Sequence, residues 1–399
     1  MTGGALRILV HDYAGHPFQA DLSRTLAGRG HEVIHAFFAD DIGPKGALTR
    51  AQQDPETLTF EGVSLSTRYS KSNFVRRRSG DLAYGAAIAR LIERAEPDLV
   101  LSGNTPTEAQ ERVRRAAARA GAAFVYWCQD FYSIAASRIL QRRLPGPGHA
   151  IAAWYRHLER RQMRTADHVV HITDAFRPQT RRWGVCNARV SVIPNWGPIG
   201  DIPVGDRDTA WAREQALTDR ARVMYTGTLA LKHDPALLTA VAGHVEADMI
   251  VIASGAGADQ LCEAAPAGMR CLPLQPFERF AEVLASADVL VAVIEREAGE
   301  YSVPSKVLSY LCAGRPIVLS APADNLAARV ITQAGAGVVV EPGDRAGFAD
   351  AVQGFVQDRD AAEAAGAAGR AYAERTFDIE TVADRFETVF RQALAARRR

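Results

Sequence analysis

Two lysines stand where small-residue loops meet the start of a helix, the placing that phosphate chemistry requires. Lys306 closes the run Ser302-Val303-Pro304-Ser305-Lys306. That run has hydroxyls able to cap a helix and a proline whose missing N–H costs nothing in a first turn. Lys232 lies in the loop Gly227-Thr228-Leu229-Ala230-Leu231-Lys232-His233. A helix N-terminus offers free N–H groups and about half a positive charge, so an added lysine suits a phosphate. Polar groups also gather in three earlier loops. These hold Gly15 and His16, then Asn104, then Gln129, Asp130 and Tyr132. Asp130 reads equally as a helix cap or as a site residue. No Asp-x-Asp motif and no His/Cys cluster with ligand spacing is evident, so no cofactor and no metal requirement are expected.

Each of these loops needs a strand behind it, and the apolar runs supply one. In the N-terminal half they are Arg7 to Val10, His31 to Ile34, Leu99 to Ser102, Phe124 to Trp127, His168 to Ile172 and Val190 to Ile193. In the C-terminal half they are Val223 to Thr226, Met249 to Ile252, Arg270 to Pro273, Val289 to Ile294 and Pro316 to Leu319. Helix-spaced apolar residues separate most of them, as Phe18, Leu22 and Leu26 do after the first. Alternation of this kind predicts an α/β fold with parallel, doubly wound sheets whose strand-end loops carry the site. The Gly15 loop lacks the full three-glycine dinucleotide fingerprint, and an ordinary βα loop is the alternative reading.

A chain of 399 residues with 47% apolar composition fills two cores. The proline- and glycine-bearing stretch from Pro198 to about Asp208 reads as a linker between them. A formal net charge of +1 excludes a globally basic nucleic-acid binder. The five cysteines show no metal-type pairing and are expected to be reduced core residues. No signal-like N-terminus and no run of 18 apolar residues is present, which predicts a cytoplasmic protein. Two basic stretches carry interleaved aromatics: Lys71 to Arg78, with Phe74, Arg76, Arg77 and Arg78, and Arg138 to Arg164, with Arg142, Arg143, Trp154 and Tyr155. Such stretches suit an anionic membrane surface, or else form a solvated helix face.

The Gly15 loop, Arg29-Gly30-His31-Glu32-Val33, Val192-Ile193-Pro194-Asn195, Tyr225-Thr226-Gly227-Thr228-Leu229, Pro304-Ser305-Lys306 and Ala313-Gly314-Arg315-Pro316-Ile317 recur here in a telling order. Together they resemble the retaining glycosyltransferases of family 4, and most of all the bacterial branch that moves N-acetylated aminosugars or deoxysugars in surface-polysaccharide assembly. The resemblance implies the GT-B architecture, two Rossmann-like doubly wound domains facing a cleft. It divides the chain into residues 1–200 on the acceptor side, 201–375 for the nucleotide-sugar, and a last helix, 376–399, returning to the first domain. It also implies a nucleotide-sugar donor, expected to be UDP-linked. The diphosphate would lie over Ser305 and Lys306 with Lys232 beside it, and the base near Leu274, Gln275 and Pro276. Gly15 and His16 would close over the phosphates. A glycan or lipid-linked acceptor would meet Asn104, Asp130 and Tyr132 at the inner face of the cell membrane. Two departures are visible: Tyr301 and Ser309 stand where relatives carry a glutamate pair, and Gln129 where many carry a histidine. A GT-B epimerase or hydrolase, or a non-catalytic nucleotide-sugar-binding partner, are the competing readings.

Overall fold

Short apolar runs alternate with amphipathic helices along the chain, and that alternation forces strands to pair in parallel through helical crossovers. The computed structural model describes residues 4–40, 45–65, 74–230, 233–294 and 305–397. They form two compact units, Met1–Pro194 with Ile379–Arg399, and Asn195–Asp378. Each is a parallel sheet with helices packed on it, the Rossmann-like plan.

The sheet of the first unit contains β1 (Arg7–Asp12), β2 (Glu32–Phe38), β3 (Leu58–Val63), β4 (Leu99–Gly103), β5 (Ala123–Cys128), β6 (His168–His171) and β7 (Val190–Val192). Their order is β3-β2-β1-β4-β5-β6-β7. Its helices are α1 (Pro17–Gly28), α2 (Phe74–Ala95), α3 (Thr107–Arg119), α4 (Tyr132–Arg143), α5 (Pro147–Thr165) and α6 (Arg177–Arg182). Every residue of β4 and β5 is buried, as strands covered on both faces require. The order of connection reverses between β1 and β4, which makes their carboxyl ends the switch point where such sheets bind ligands.

The second unit holds β8 (Ala221–Thr228), β9 (Ala247–Ser254), β10 (Met269–Leu272), β11 (Val289–Val293), β12 (Ile317–Ser320) and β13 (Gly337–Val340) in the order β10-β9-β8-β11-β12-β13. Its helices are α7 (Ala210–Glu214), α8 (Ala236–His244), α9 (Ala256–Glu263), α10 (Phe277–Ala285), α11 (Ser305–Ala313), α12 (Leu326–Ala334), α13 (Arg345–Gln357) and α14 (Arg359–Thr376). Here the reversal falls between β8 and β11. The last helix, α15 (Ile379–Arg397), packs in the first unit. Its Phe386 ring lies 4.8 Å from that of Trp127 on β5, and Arg29 after α1 bonds Glu380 at 2.6 Å and Asp384 at 2.8 Å.

Three features differ from the sequence reading. The stretch read as a linker is packed against the second unit. Arg370 takes the carbonyl of Ile202, Arg315 that of Gly205 and Arg222 that of Arg207, while Trp196 is buried. The expectation of five reduced core cysteines fails at Cys186, which is exposed, and at one pair, because Cys262 and Cys271 form a disulfide with Cα atoms 5.9 Å apart. Cys262 ends α9 and Cys271 lies in β10, so the short return of the chain brings them together. Edge strands β3 and β13 add to the reading; both are half-exposed, β3 is broken by polar residues, and β13 is only four residues long.

Candidate functional site

In the second unit the site grows from the end of β8. Tyr225 and Tyr310 are both buried, one on β8 and one on α11. The Tyr310 hydroxyl accepts from the Thr226 N–H at 2.9 Å, which keys α11 to the strand. Lys306 is one turn before Tyr310 on the same face of that helix. Its ammonium is directed over the Tyr225 ring, 3.8 Å from the centroid, and has no hydrogen-bond partner among the described residues. Burial pulls its pKa down to about 7. Gly227 adopts φ +103°, and a Cβ there would lie 3.6 Å from Lys306 Nζ. Thr228 beside it is exposed and Ser309, one turn on from Lys306, is half-buried. Among the described residues no counterion pairs with this ammonium, which stands at the switch point of the sheet, where such folds bind ligands.

The neighbouring glycine loop plays a supporting part. Gly255 adopts φ +110° and opens α9, whose Gly257 and Ala258 N–H groups donate to the Leu229 carbonyl at 3.0 and 3.2 Å. They hold the β8 loop and are spent on it. Leu274, Gln275 and Pro276 follow β10, two strands from β8. The Gln275 side chain is engaged, accepting from Trp211 Nε1 at 3.0 Å and donating to the Pro273 carbonyl at 2.8 Å.

In the first unit the loops lie at the carboxyl ends of β1, β4 and β5. Buried Asp12 organises the first. It accepts from the Ala14 N–H at 3.2 Å and from the His16 N–H, and contacts His16 Nδ1 at 3.1 Å. Burial pushes the Asp12 carboxyl up, but the His16 ring and N–H outweigh it and hold the group below its usual range. Gly15 adopts φ +75°. Asn104 occupies left-handed backbone at φ +49° after β4. After β5, Asp130 accepts from the Phe131 N–H at 2.6 Å, and the Arg77 guanidinium donates to the Tyr132 hydroxyl. His11, buried with its pKa lowered to about 4, is neutral and bonds Ser102 Oγ at 2.8 Å and the Tyr84 hydroxyl at 2.9 Å.

With this geometry in hand, two family descriptions match the chain. "Glycosyl transferase 4-like domain" covers residues 15–196 and "Glycosyl transferases group 1" covers residues 220–358. The chain is a glycosyltransferase of the GT-B fold. The transferase is 27% identical over 388 residues to the Escherichia coli (strain K12) protein assigned by name to colanic acid biosynthesis as the glycosyl transferase WcaI, covering 92% of this chain and 94% of that one. Among solved structures it is similar to sucrose-phosphate synthase of Thermosynechococcus elongatus, with a TM-score of 0.73 at 16% identity over 98% and 99% of the two chains. It is likewise similar to Anabaena Alr3699/HepE in complex with UDP-glucose, with a TM-score of 0.69 at 15% identity over 96% and 98%.

Of the residues picked out in the sequence of the transferase, Gly227 and Lys306 come together, with Thr228 next to the first and Ser309 on the helix of the second, while Lys232 and Pro304 lie outside the described residues, as does the side chain of Ser305. The basic stretches are partly spent internally. Arg78 forms a two-pronged pair with Glu108 at 2.9 Å, and Arg77 turns to Tyr132. The side chains of Arg142 and Arg143 lie outside the described residues, and Trp154 is 52% exposed. Among the described residues no group of three or more His, Cys, Asp or Glu side chains converges as metal ligands, and no helix is long and apolar enough to cross a membrane. The reading that no Asp-x-Asp motif is evident fails, because two such triplets occur. In Asp206-Arg207-Asp208, Asp208 pairs with Arg222 at 3.6 Å, and in Asp358-Arg359-Asp360, Asp358 caps α14. Sequence reasoning missed Tyr225 and Tyr310, whose aromatic types inside apolar runs read only as core.

Proposed function

We propose that the enzyme transfers a hexosyl or N-acetylaminosugar group from a UDP-linked donor to a glycan or lipid-linked acceptor, with retention of anomeric configuration. The observation that carries this is Lys306, whose buried ammonium has no hydrogen-bond partner among the described residues and stands at the β8–β11 switch point. The likeness to a fold solved with UDP-glucose and the relative named for colanic acid biosynthesis both support it. In this reading the diphosphate rests on the first turn of α11, with Gly227, Thr228 and Ser309 around it and the base near Leu274. The acceptor is held by the strand-end loops of Asn104, Asp130 and Tyr132.

The chemistry follows from the charges. As the bond from the sugar to the phosphate oxygen breaks, negative charge grows on the diphosphate, and Lys306 and the helix N–H groups stabilise it more than they stabilise the ground state. Gln129 has no basic atom, so the departing phosphate oxygen itself takes the acceptor proton on the same face. No metal is needed if these groups suffice.

The test is a panel of UDP-sugars with a chloroform–methanol extract of bacterial membranes as acceptor, run with and without EDTA. Labelled lipid formed in EDTA by the wild type, and lost by about 10²-fold in Lys306→Ala, is the expected outcome, the cost of one charged donor in a dry site being about 2–4 kcal/mol. Free sugar without labelled lipid, or full activity in Lys306→Ala, overturns the reading.

A further inference from the structure

α5 carries two unlike faces. Outward it shows Trp154 and arginines; inward it buries Glu159 completely and Gln162 as well. The inward face reaches both helices that follow the Asn104 and Asp130 loops. Gln162 donates to the Thr107 carbonyl at the start of α3 at 2.7 Å. Glu159 does more at α4. Its Oε1 accepts from the Tyr132 N–H at 2.9 Å, and its Oε2 accepts from the Ser133 N–H at 3.1 Å and the Ser133 hydroxyl at 2.6 Å.

A helix usually caps itself with a local Asp, Asn, Ser or Thr. α4 does not, since Phe131 at its N-cap has no side chain for the purpose, and the Asp130 carboxylate before it takes the Phe131 N–H. The first free N–H groups of α4 are instead taken by a carboxylate from another helix, and in the ionised form such bonds are about twice as strong as neutral ones. The residues so fixed are those between Gln129 and Tyr132.

We propose that Glu159 is a positioning residue for the acceptor: its carboxylate, seated across the first turn of α4, fixes the Gln129 to Tyr132 loop only while it is ionised. The idea rests on the reading of that loop as acceptor side. Burial raises the Glu159 pKa to about 7, its bonds to Ser133 and Tyr132 opposing the rise and the Asp130 charge adding to it. The other groups facing it are the Tyr126 hydroxyl on β5, 3.5 Å away, and the Cys128 thiol, both held protonated by burial. On α3 the acidic side chains are turned elsewhere, Glu108 to Arg78 and Tyr155, and Glu111 to Arg114 and Arg115. The loop is therefore firm above neutrality and loosened below it.

Hydrogen exchange at the Tyr132 and Ser133 amides of the full-length protein reads this without any substrate. After correction for intrinsic rates, wild-type protection should rise as pH increases through about 7, whereas Glu159→Gln should be weakly protected and flat. Ser133→Ala removes a bond that favours the charged form, so the same rise should move to higher pH; this variant carries the test if Glu159→Gln does not fold. In transfer to the membrane-lipid extract, with the UDP-sugar that supports turnover, Glu159→Gln should raise the KM for extract by about tenfold and leave the donor KM alone. Protection that ignores pH in the wild type, or that is equal in wild type and Glu159→Gln, overturns the proposal. If Asn104→Ala raises the KM for extract and Glu159→Gln does not, the positioning role falls and the acceptor reading stands. If neither variant moves it, the acceptor reading falls, and the role with it.

Discussion

Lys306 has to be charged when a diphosphate arrives and is poorly placed to be charged before. With its pKa lowered by burial to about 7, the empty site sheds a proton above neutrality, and a bound diphosphate draws that proton back. Affinity for UDP-glucose, whose phosphates do not titrate near neutrality, should therefore fall as pH rises above about 7, by at most about tenfold per pH unit. Calorimetry in buffers of different ionisation enthalpy would detect the proton taken up; pH-independent affinity would refute the assignment. The stability consequence has a definite sign. The unfolded chain keeps the proton up to the usual 10.5, so unfolding binds a proton between about 7 and 10.5 and native stability rises with pH there. Below that window the buried ammonium is a standing cost. Lys306→Met should stabilise the ligand-free protein at pH 6 by on the order of 1–3 kcal/mol while abolishing UDP-glucose binding. A lower unfolding temperature in this variant would contradict the account.

At the scale of elements, the end of β8 depends on a backbone that only glycine adopts easily. Gly227→Ala has to hold a Cβ at φ +103°, with Lys306 Cε and Nζ each 3.6 Å away. The space is tolerable and the backbone is not, so the expected cost is about 1–3 kcal/mol, read as weaker UDP-glucose binding with little change in other loops. Unchanged affinity would mean that the loop does not touch the donor. α5 yields a different test. Its exposed Trp154 stacks on His157 with ring centroids 6.1 Å apart, while Arg160 bonds the Trp183 carbonyl and Arg161 pairs with Glu111. Contact with an anionic membrane would therefore rest on Trp154 more than on Arg77 and Arg78, which have internal partners. Trp154→Ala should reduce co-sedimentation with phosphatidylserine vesicles at low salt and leave UDP-glucose binding intact; equal sedimentation would leave this face as ordinary surface.

How far the sequence could be read divides along the same lines. Val289 to Ile294 and Phe124 to Trp127 declare buried strands because unbroken apolar runs have few other uses, and the βαβ alternation then leaves few topologies. Lys306 and Gly227 were legible because a helix start and a glycine loop are local patterns. Glu159 was not, because a glutamate amid arginines on a helix looks solvated until the neighbouring helix is seen ending on it. Cys262 and Cys271 were not, because nothing local links a helix end to an edge strand. The internal partners of Arg77 and Arg78 were hidden for the same reason, their carboxylate and hydroxyl lying far along the chain.

At the scale of the molecule, α15 matters most to the first unit. Phe386 is fully buried against Trp127, and Arg29 gathers Glu380 and Asp384 nearby. Phe386→Ala should destabilise the first unit by about 3–5 kcal/mol. UDP-glucose affinity, which in the proposed site rests on residues of Asn195–Asp378, should survive at temperatures where both units stay folded. Equal loss of protection in both units by hydrogen exchange would show that they unfold as one.

The chain leaves its first unit at Pro194, builds the second, and returns to the first at Ile379. Birth order and structural order therefore disagree. As the chain emerges from a ribosome, its first 194 residues wait, lacking the helix that covers Trp127, while everything from Asn195 to Asp378 is made and can fold. The earliest segment to appear is the last to be completed. A nascent chain arrested before Ile379 should already retain UDP-glucose while its opening residues remain open to protease.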